Sequence, residues 1–230
     1  MPYMEDASLL LVAHGSTSHP EAAQGLYRIA ERLKPRFAHV DVAFWRQEPL
    51  LSRAHLREGR VYVVPYFTGL GKHTETLIPG KLGITCKVTD QVTYCPPVGC
   101  HPALPRLIHR RALEAAADAA ATTLLLIGHG SKDGGANRTP EAIAAALRKL
   151  GGFGEVATAY LEQAPFAADW PKLVTKPHVI AQPLLLSAGM HASADLPPLF
   201  EESGAILLQG VGSDEEIAGL ILDQIGADWP

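Results

Sequence analysis

The sequence predicts an α/β fold built from two similar halves, each with an open parallel sheet of about four strands flanked by helices. The first indication is a repeated phrase: SLLLVAHGS at residues 8–16 returns as TTLLLIGHGS at residues 122–131. Each copy is a continuous apolar run that ends abruptly in His-Gly-Ser, which is typical of a parallel strand buried on both faces. The second indication is that strand-like and helix-like segments alternate along both halves, as in βαβ units.

In the first half, the segment after the first strand has apolar residues at helical spacing and is closed by Pro35. The next segment alternates like a strand, the one after it is a helix stopped by Gly59, and another apolar run follows. The predicted elements are a helix at 20–33, a strand at 40–45, a helix at 50–58, a strand at 61–67, a helical turn from Pro79, a strand at 92–95 and a helix at 102–120.

The second half repeats this order of elements, with Gly151-Gly152 ending its first helix. The predicted elements are a strand at 124–127, a helix at 140–150, strands at 155–161, 177–186 and 205–209, and a helix at 214–225.

Short matches at three places fix how the two halves align. They are AFWRQEP at 43–49 with AYLEQAP at 159–165, Pro65 with Pro183 (each eight residues before a His), and Val98-Gly99 with Val211-Gly212. The sequence therefore predicts two flavodoxin-like domains, one at residues 1–120 and one at residues 121–230.

Composition excludes several classes of protein. With 47% hydrophobic and 19% charged residues among 230, the chain resembles an ordinary globular protein and not a disordered one. A net charge of -4, without a basic stripe, gives no reason to expect nucleic acid as a partner. No apolar run approaches the roughly 20 residues of a membrane span, and no signal peptide is visible, so we expect a cytoplasmic protein.

The second half carries a constellation that suggests metal chemistry. His129 follows its first strand, Glu162 the second and His191 the third. Ligands of open α/β sheets bind outside the carboxyl ends of the strands, and successive strands are usually neighbours, so we expect these side chains to converge. Two imidazoles and one carboxylate suit a divalent transition metal, and three protein ligands leave a position open for substrate.

The first half differs at one of these positions. His14 and His73 match His129 and His191, but Arg46 stands where the second half has Glu162. Because a guanidinium repels a cation, we expect the second half to hold the better metal site. Arg46 is either a carboxylate-binding group, for which its planar fork is suited, or a solvated charge, and the same alternatives apply to Lys72.

These motifs resemble the sirohydrochlorin chelatase family, the CbiX and SirB type of class II chelatases. The resemblance rests on the two HGS motifs, on LEQAP around Glu162 and on SAGMHASADLP at residues 187–197, and it covers residues 9–225 as a tandem duplication. The family pattern G-x-H-x-x-x-D-[IL]-P fits the second copy, whereas the first copy has Leu77 in place of the Asp.

The resemblance implies a lyase that inserts a divalent metal, Co²⁺ or Fe²⁺, into sirohydrochlorin on the way to cobalamin or siroheme. The metal is then a substrate, and no organic cofactor is expected. It assigns catalysis and metal binding to His129, His191 and Glu162, further metal binding to His14 and His73, and substrate binding to Arg46, Lys72, Ser131 and Met190. We expect a monomer with pseudo-twofold symmetry whose partner is the tetrapyrrole.

Three other interpretations stay open at this point. The chain is alternatively a non-catalytic protein that binds or delivers a divalent metal, or a ferrochelatase for another porphyrin. Cys95, Cys100 and His101 form C-x₄-C-H, which is a weak metal motif. For Cys95 and Cys100, free buried cysteines at a strand end are favoured instead. An odd number of three cysteines without CxxC spacing speaks against a disulfide framework and fits a reducing compartment.

Overall fold

Two four-stranded parallel sheets form the framework of the protein in the computed structural model, which describes residues 4–131, 138–186, 195–213 and 216–226. The first sheet has the strand order β2-β1-β3-β4 and the second β6-β5-β7-β8. The strands are β1 (Met4–Ala13), β2 (Phe37–Phe44), β3 (Arg60–Pro65), β4 (Val92–Tyr94), β5 (Thr122–Gly128), β6 (Glu155–Tyr160), β7 (His178–Pro183) and β8 (Ile206–Leu207). The predicted α/β class is confirmed.

Six α-helices connect or follow these strands within the described residues. They are α1 (Gln24–Leu33), α2 (Ile78–Leu82), α3 (Leu104–Ala115), α4 (Arg138–Leu150), α5 (Pro197–Phe200) and α6 (Ile217–Gly226). A π-helical turn, His73–Leu77, leads directly into α2.

The prediction of a helix at residues 50–58 is wrong. Only a 3₁₀ turn at Arg53–His55 forms there, and Ser52 and His55 close it with a capping box. The backbone that precedes this turn pairs with the end of β2 instead, because the N–H of Leu51 donates to the oxygen of Phe44 at 2.7 Å. The helix predicted at 102–120 is shorter than expected, since α3 ends at Ala115.

The inner strands β1 and β5 each contain a deeply buried run of residues. Side chains at residues 9–12 of β1 and 124–127 of β5 are at most 1% exposed. Each has a parallel strand on both sides: β1 pairs with β2 and β3, and β5 pairs with β6 and β7. Burial on both faces explains why these strands are continuous apolar runs.

The chain packs into two compact units, and each unit contains one helix that the sequence repeat assigns to the other half. The first unit takes the chain up to His101 and again from Asp214 onward, and the second takes Pro102–Ser213. The second unit therefore contains α3, and the first contains α6. The predicted domains 1–120 and 121–230 follow the sequence repeat, and their boundaries stay a prediction.

Each exchanged helix is held by polar contacts inside its unit. In the first unit, Gln224 of α6 donates to the oxygen of Pro96, and Asp223 lies 3.2 Å from His101 Nε2. In the second unit, His109 Nε2 of α3 donates to the oxygen of Gly151 at 2.7 Å. The helices are thus joined to turns as well as to apolar faces.

Equivalent glycines allow a close backbone approach in both units. A Cβ atom on Gly99 would lie 2.0 Å from the oxygen of Thr68, and one on Gly212 would lie 1.9 Å from the oxygen of Leu186. Both obstacles are backbone atoms, so no side-chain rotation relieves the clash.

We therefore expect Gly99→Ala to lower the free energy of unfolding by about 2 kcal/mol or more, because the turn must move away from Thr68. Urea unfolding followed by tryptophan fluorescence measures this loss. The control is Gly219→Ala in α6, which has open space around it and should gain about 0.5–1 kcal/mol. An unchanged unfolding midpoint for Gly99→Ala would contradict the close approach.

Candidate functional site

The carboxyl ends of β1 and β2 place His14 and Arg46 side by side in the first unit. Parallel pairing continues past both strands, because the N–H of Arg46 donates to the oxygen of His14 at 2.9 Å. On the other side of β1, the N–H of Tyr66 donates to the oxygen of Val12 at 2.7 Å. The loops that follow β1, β2 and β3 therefore leave from the same edge of the sheet.

His73 is brought to this edge by the π-helical turn after β3. The next residue, Thr74, is buried, and its hydroxyl accepts a hydrogen bond from the N–H of Gly71 at 3.0 Å. The hydroxyl of Tyr94, from β4, donates to the oxygen of Thr74 at 2.7 Å. These bonds fix the start of the turn and so the direction of the imidazole.

The two histidines of the first unit form an imidazole pair. The ring centroids of His14 and His73 are 5.1 Å apart and the planes meet at 79°. Phe67 stacks on His73 at 6.0 Å, and Trp45 meets it edge-on at 5.7 Å. The structure thus brings His14 and His73 together in this unit, and their role as metal ligands stays a prediction.

Charge and burial both keep the imidazole of His73 neutral. Partial burial lowers its pKa below the ordinary histidine value, and the neighbouring His14, Arg46 and Lys72 lower it further. A neutral imidazole has a lone pair that can accept a proton or bind a metal. The same Arg46 and Lys72 oppose any cation placed beside His73.

The loop after β1 is held by hydrogen bonds of its own. His14 Nδ1 lies 3.0 Å from the oxygen of Gly15, and the N–H of Ser16 donates to Gln47 Oε1 at 3.1 Å. The hydroxyl of Ser16 accepts from the N–H of His19 at 3.1 Å. Ser16 therefore bonds the backbone of the residue that precedes the 3₁₀ helix Pro20–Ala23.

The second unit has the same arrangement around its first two strand ends. The N–H of Glu162 donates to the oxygen of His129 at 2.9 Å, which places the backbones of these two predicted ligands side by side. His129 Nδ1 lies 3.0 Å from the oxygen of Gly130, and the N–H of Ser131 donates to Gln163 Oε1 at 2.9 Å.

The third predicted ligand of the second unit, His191, lies outside the described residues, as does Met190. Across the described ranges, no group of three or more His, Cys, Asp or Glu side chains is arranged to hold a metal ion. The set of His129, Glu162 and His191 therefore stays a prediction.

The C-x₄-C-H segment is not such a group either. Cys95, Cys100 and His101 all belong to the described residues, and none of the three cysteines, all of them described, forms a disulfide. Cys95 is buried, and burial raises the pKa of its thiol to about 12. The expectation of a buried thiol is confirmed for Cys95 and wrong for Cys100, which is only half-buried.

Three residues at this edge were missed by sequence reasoning. Gln47 and Gln163 bind equivalent loops in the two units, and Trp45 contacts His73. The signal for the glutamines was present, because the aligned segments FWRQEP and YLEQAP share a Gln at this position. Trp45 aligns with Leu161, so comparison of the halves hid it.

The two four-stranded parallel sheets and the paired strand-end histidines define a chelatase-like protein, and comparison with known proteins agrees. The family model CbiX matches residues 8–115 and again residues 123–227. The chain belongs to the CbiX family of class II chelatases, in which it has two tandem copies of the matched unit.

Relatives of known name support this family. A protein of Halobacterium salinarum named probable sirohydrochlorin cobaltochelatase is 28% identical over 221 residues, covering 83% of this chain and 75% of its own. A multi-domain protein of Deinococcus radiodurans with structural similarity to chelatases is 27% identical, with a TM-score of 0.78 over 95% of this chain. This chain spans about half, 54%, of that protein.

Two further solved structures share the fold. CbiX of denitrifying bacteria, described as the terminal enzyme for siroheme biosynthesis, has a TM-score of 0.74 at 24% identity and covers 97% of this chain and all of its own. SirB from Bacillus subtilis with Fe³⁺ has a TM-score of 0.76 at 20% identity, with 96% and 94% covered. No helix among the described residues is long and apolar enough to cross a membrane.

We expect His73 to titrate below the ordinary histidine pKa, and Arg46→Met to raise its pKa by removing a nearby cation. Histidine-selective NMR titration measures both, with Arg28→Met on α1 as the control that leaves His73 unchanged. The pKa of His73 is lower in the folded protein than in the unfolded chain. As the pH falls, the unfolded chain therefore binds a proton at this residue before the folded protein does. His73 therefore contributes stability that is lost as the pH falls through its folded pKa. A His73 pKa at or above the ordinary value contradicts this account.

Proposed function

We propose that this protein is a sirohydrochlorin chelatase, which inserts a divalent metal into a sirohydrochlorin-type tetrapyrrole. The observation that carries the proposal is the imidazole pair of His14 and His73 at the carboxyl edge of a family-defining sheet, with centroids 5.1 Å apart. The repeated strand-end His129 in the second unit supports it. Metal and macrocycle are both substrates.

The chemistry requires a base and a ligand in the same place. Insertion breaks two pyrrole N–H bonds, forms metal–nitrogen bonds in their place and releases two protons, while the hydrated metal sheds water. Imidazole suits both tasks because near neutral pH it is a metal ligand or a proton acceptor. A carboxylate beside it adds a further ligand and proton acceptor.

The charges around the two edges favour a division of these tasks. Glu162 is the backbone neighbour of His129 at the strand ends, and a carboxylate at this edge would attract a divalent cation. In the first unit, Arg46 and Lys72 influence His73 as positive charges, which disfavours a cation and suits the carboxylates of the macrocycle. We therefore assign metal handling to His129, His191 and Glu162, and carboxylate binding to Arg46 and Lys72.

The further roles expected from the sequence belong to the same proposal. Ser131, whose N–H is held by Gln163, and Met190 would contact the macrocycle, and His14 and His73 would accept pyrrole protons or bind metal secondarily. Cobalt and iron are the candidate metals, in keeping with a cobaltochelatase name in one relative and with cobalt and Fe³⁺ in structures of SirB. Action as a monomer in the cytoplasm is proposed with it.

Two double variants test which unit handles the metal. We expect His129→Ala with His191→Ala to abolish insertion, because removing both imidazoles leaves Glu162 as the remaining assigned ligand. His14→Ala with His73→Ala should slow insertion less. Insertion of Co²⁺ and, in parallel, Fe²⁺ into sirohydrochlorin is followed by the change in the Soret band. Equal losses in the two variants would refute the assignment to the second unit.

The same assay separates enzyme from metal carrier. Sirohydrochlorin added to the wild-type protein with Co²⁺ or Fe²⁺ should change spectrum faster than metal and pigment alone. A protein that binds the metal tightly and leaves this rate unchanged is a delivery protein. Faster insertion into a less carboxylated porphyrin than into sirohydrochlorin would identify the protein as a ferrochelatase for another porphyrin.

Arg46→Met tests the carboxylate-binding role. Loss of one charge-assisted hydrogen bond, worth about 1.5–3 kcal/mol, should raise the KM for sirohydrochlorin about tenfold or more. Initial rates across pigment concentrations measure KM apart from kcat, and Arg28→Met on α1 serves as the matched control. An unchanged KM would make Arg46 a solvated charge, the alternative noted above.

A further inference from the structure

The loop after β1 contains one peptide group that is hydrogen-bonded at both ends. The carbonyl oxygen of Gly15 lies 3.0 Å from His14 Nδ1, and the N–H of Ser16, which belongs to the same peptide group, donates to Gln47 Oε1 at 3.1 Å. A carbonyl oxygen only accepts, so His14 Nδ1 is the donor. A chain of hydrogen bonds therefore runs from Gln47 through one peptide to the imidazole.

The second unit repeats this chain with the same atoms. His129 Nδ1 lies 3.0 Å from the oxygen of Gly130, and the N–H of Ser131 donates to Gln163 Oε1 at 2.9 Å. The residues between strand and glutamine otherwise differ, since Arg46 precedes one glutamine and Glu162 the other. The arrangement has thus been kept where the neighbouring charge has reversed.

Close packing holds the peptide group against the glutamine. Gly15 has φ +69°, and a Cβ atom there would lie 2.7 Å from Gln47 Cβ. Gly130 has φ +79°, and its Cβ atom would lie 2.8 Å from Gln163 Cγ. Both positions require glycine, because the left-handed backbone and the contact exclude a side chain. In the first unit, Gln47 Nε2 also donates to the oxygen of Pro20 at 3.3 Å.

We infer that Gln47 and Gln163 are positioning residues that select the Nδ1–H tautomer of His14 and His129 through this peptide group. The tautomer of a neutral imidazole is set by the hydrogen bond of one ring nitrogen, and hydrogen bonds in a chain polarise one another. Acceptance by the glutamine makes the peptide carbonyl a stronger acceptor for Nδ1–H. The lone pair is then on Nε2, at the outer end of the ring.

This inference rests on the proposed function for its consequence, although the tautomer itself does not. In a chelatase, Nε2 is the atom that binds the metal or takes the pyrrole proton. Outer partners that orient a histidine in this way typically change metal affinity by about 10–100-fold when they are removed. The glutamine thereby prepares the ligand without contacting either substrate.

The test uses Gln163→Met, Gln163→Glu and a control. Methionine keeps the volume and removes the acceptor, glutamate keeps the acceptor, and Gln24→Met makes the same change at an exposed position on α1. Imidazole ¹⁵N NMR at a pH where the rings are neutral identifies the protonated nitrogen, and titration with Co²⁺ alone measures affinity.

In the wild type we expect Nδ1–H at both His14 and His129. Gln163→Met should populate Nε2–H at His129 and weaken Co²⁺ binding about tenfold, whereas Gln163→Glu and Gln24→Met keep the wild-type tautomer. If Gln163→Met does not fold, Gln47→Met provides the equivalent test and should populate Nε2–H at His14.

An Nε2–H tautomer in the wild-type protein would overturn the inference, and so would a tautomer that Gln163→Met leaves unchanged. Failure of the proposed function gives a different result. In that case the tautomers respond to the glutamine as described, while sirohydrochlorin shows no metal insertion with the wild-type protein.

Discussion

Continued parallel pairing beyond the strand ends is the constraint on which both candidate sites depend. In each unit the N–H of the second residue after one strand donates to the oxygen of the first residue after its neighbour: Arg46 to His14 and Glu162 to His129. Because this hydrogen bond joins the carboxyl ends of two neighbouring strands, the polar side chains that follow them leave the sheet at the same edge. The buried apolar strands beneath supply the rigidity that such positioning requires.

On this common framework, the two units differ in electrostatics. One strand-end position carries a guanidinium in the first unit and a carboxylate in the second, and in the first unit the cations Arg46 and Lys72 act on the imidazole of His73. His73 is also covered by Trp45 and Phe67, which stand where the second half has leucines. Duplication of the fold thus leaves a guanidinium in one copy at the position of a carboxylate in the other.

The last helix of each half, α3 or α6, packs in the unit formed mainly by the other half. Helix α3 follows the first sheet in sequence and packs in the second unit, and α6 follows the second sheet and packs in the first. Each unit therefore needs a segment from the other half to complete its core. Polar contacts by His109 on α3 and by Gln224 on α6 make each helix specific to its place.

The sequence alone determined the α/β class, the duplication, the central strands and the strand-end positions of His14, Arg46, His129 and Glu162, because these follow from local apolar periodicity and repeated motifs. The tertiary structure decided what periodicity does not encode. The pairing of Phe44 with Leu51 replaced a predicted helix, and tertiary contacts decided in which unit α3 and α6 pack. The hydrogen bonds of the glutamines and the aromatic cover of one imidazole likewise join residues far apart in the chain, and such contacts exist only when the strands have been brought side by side.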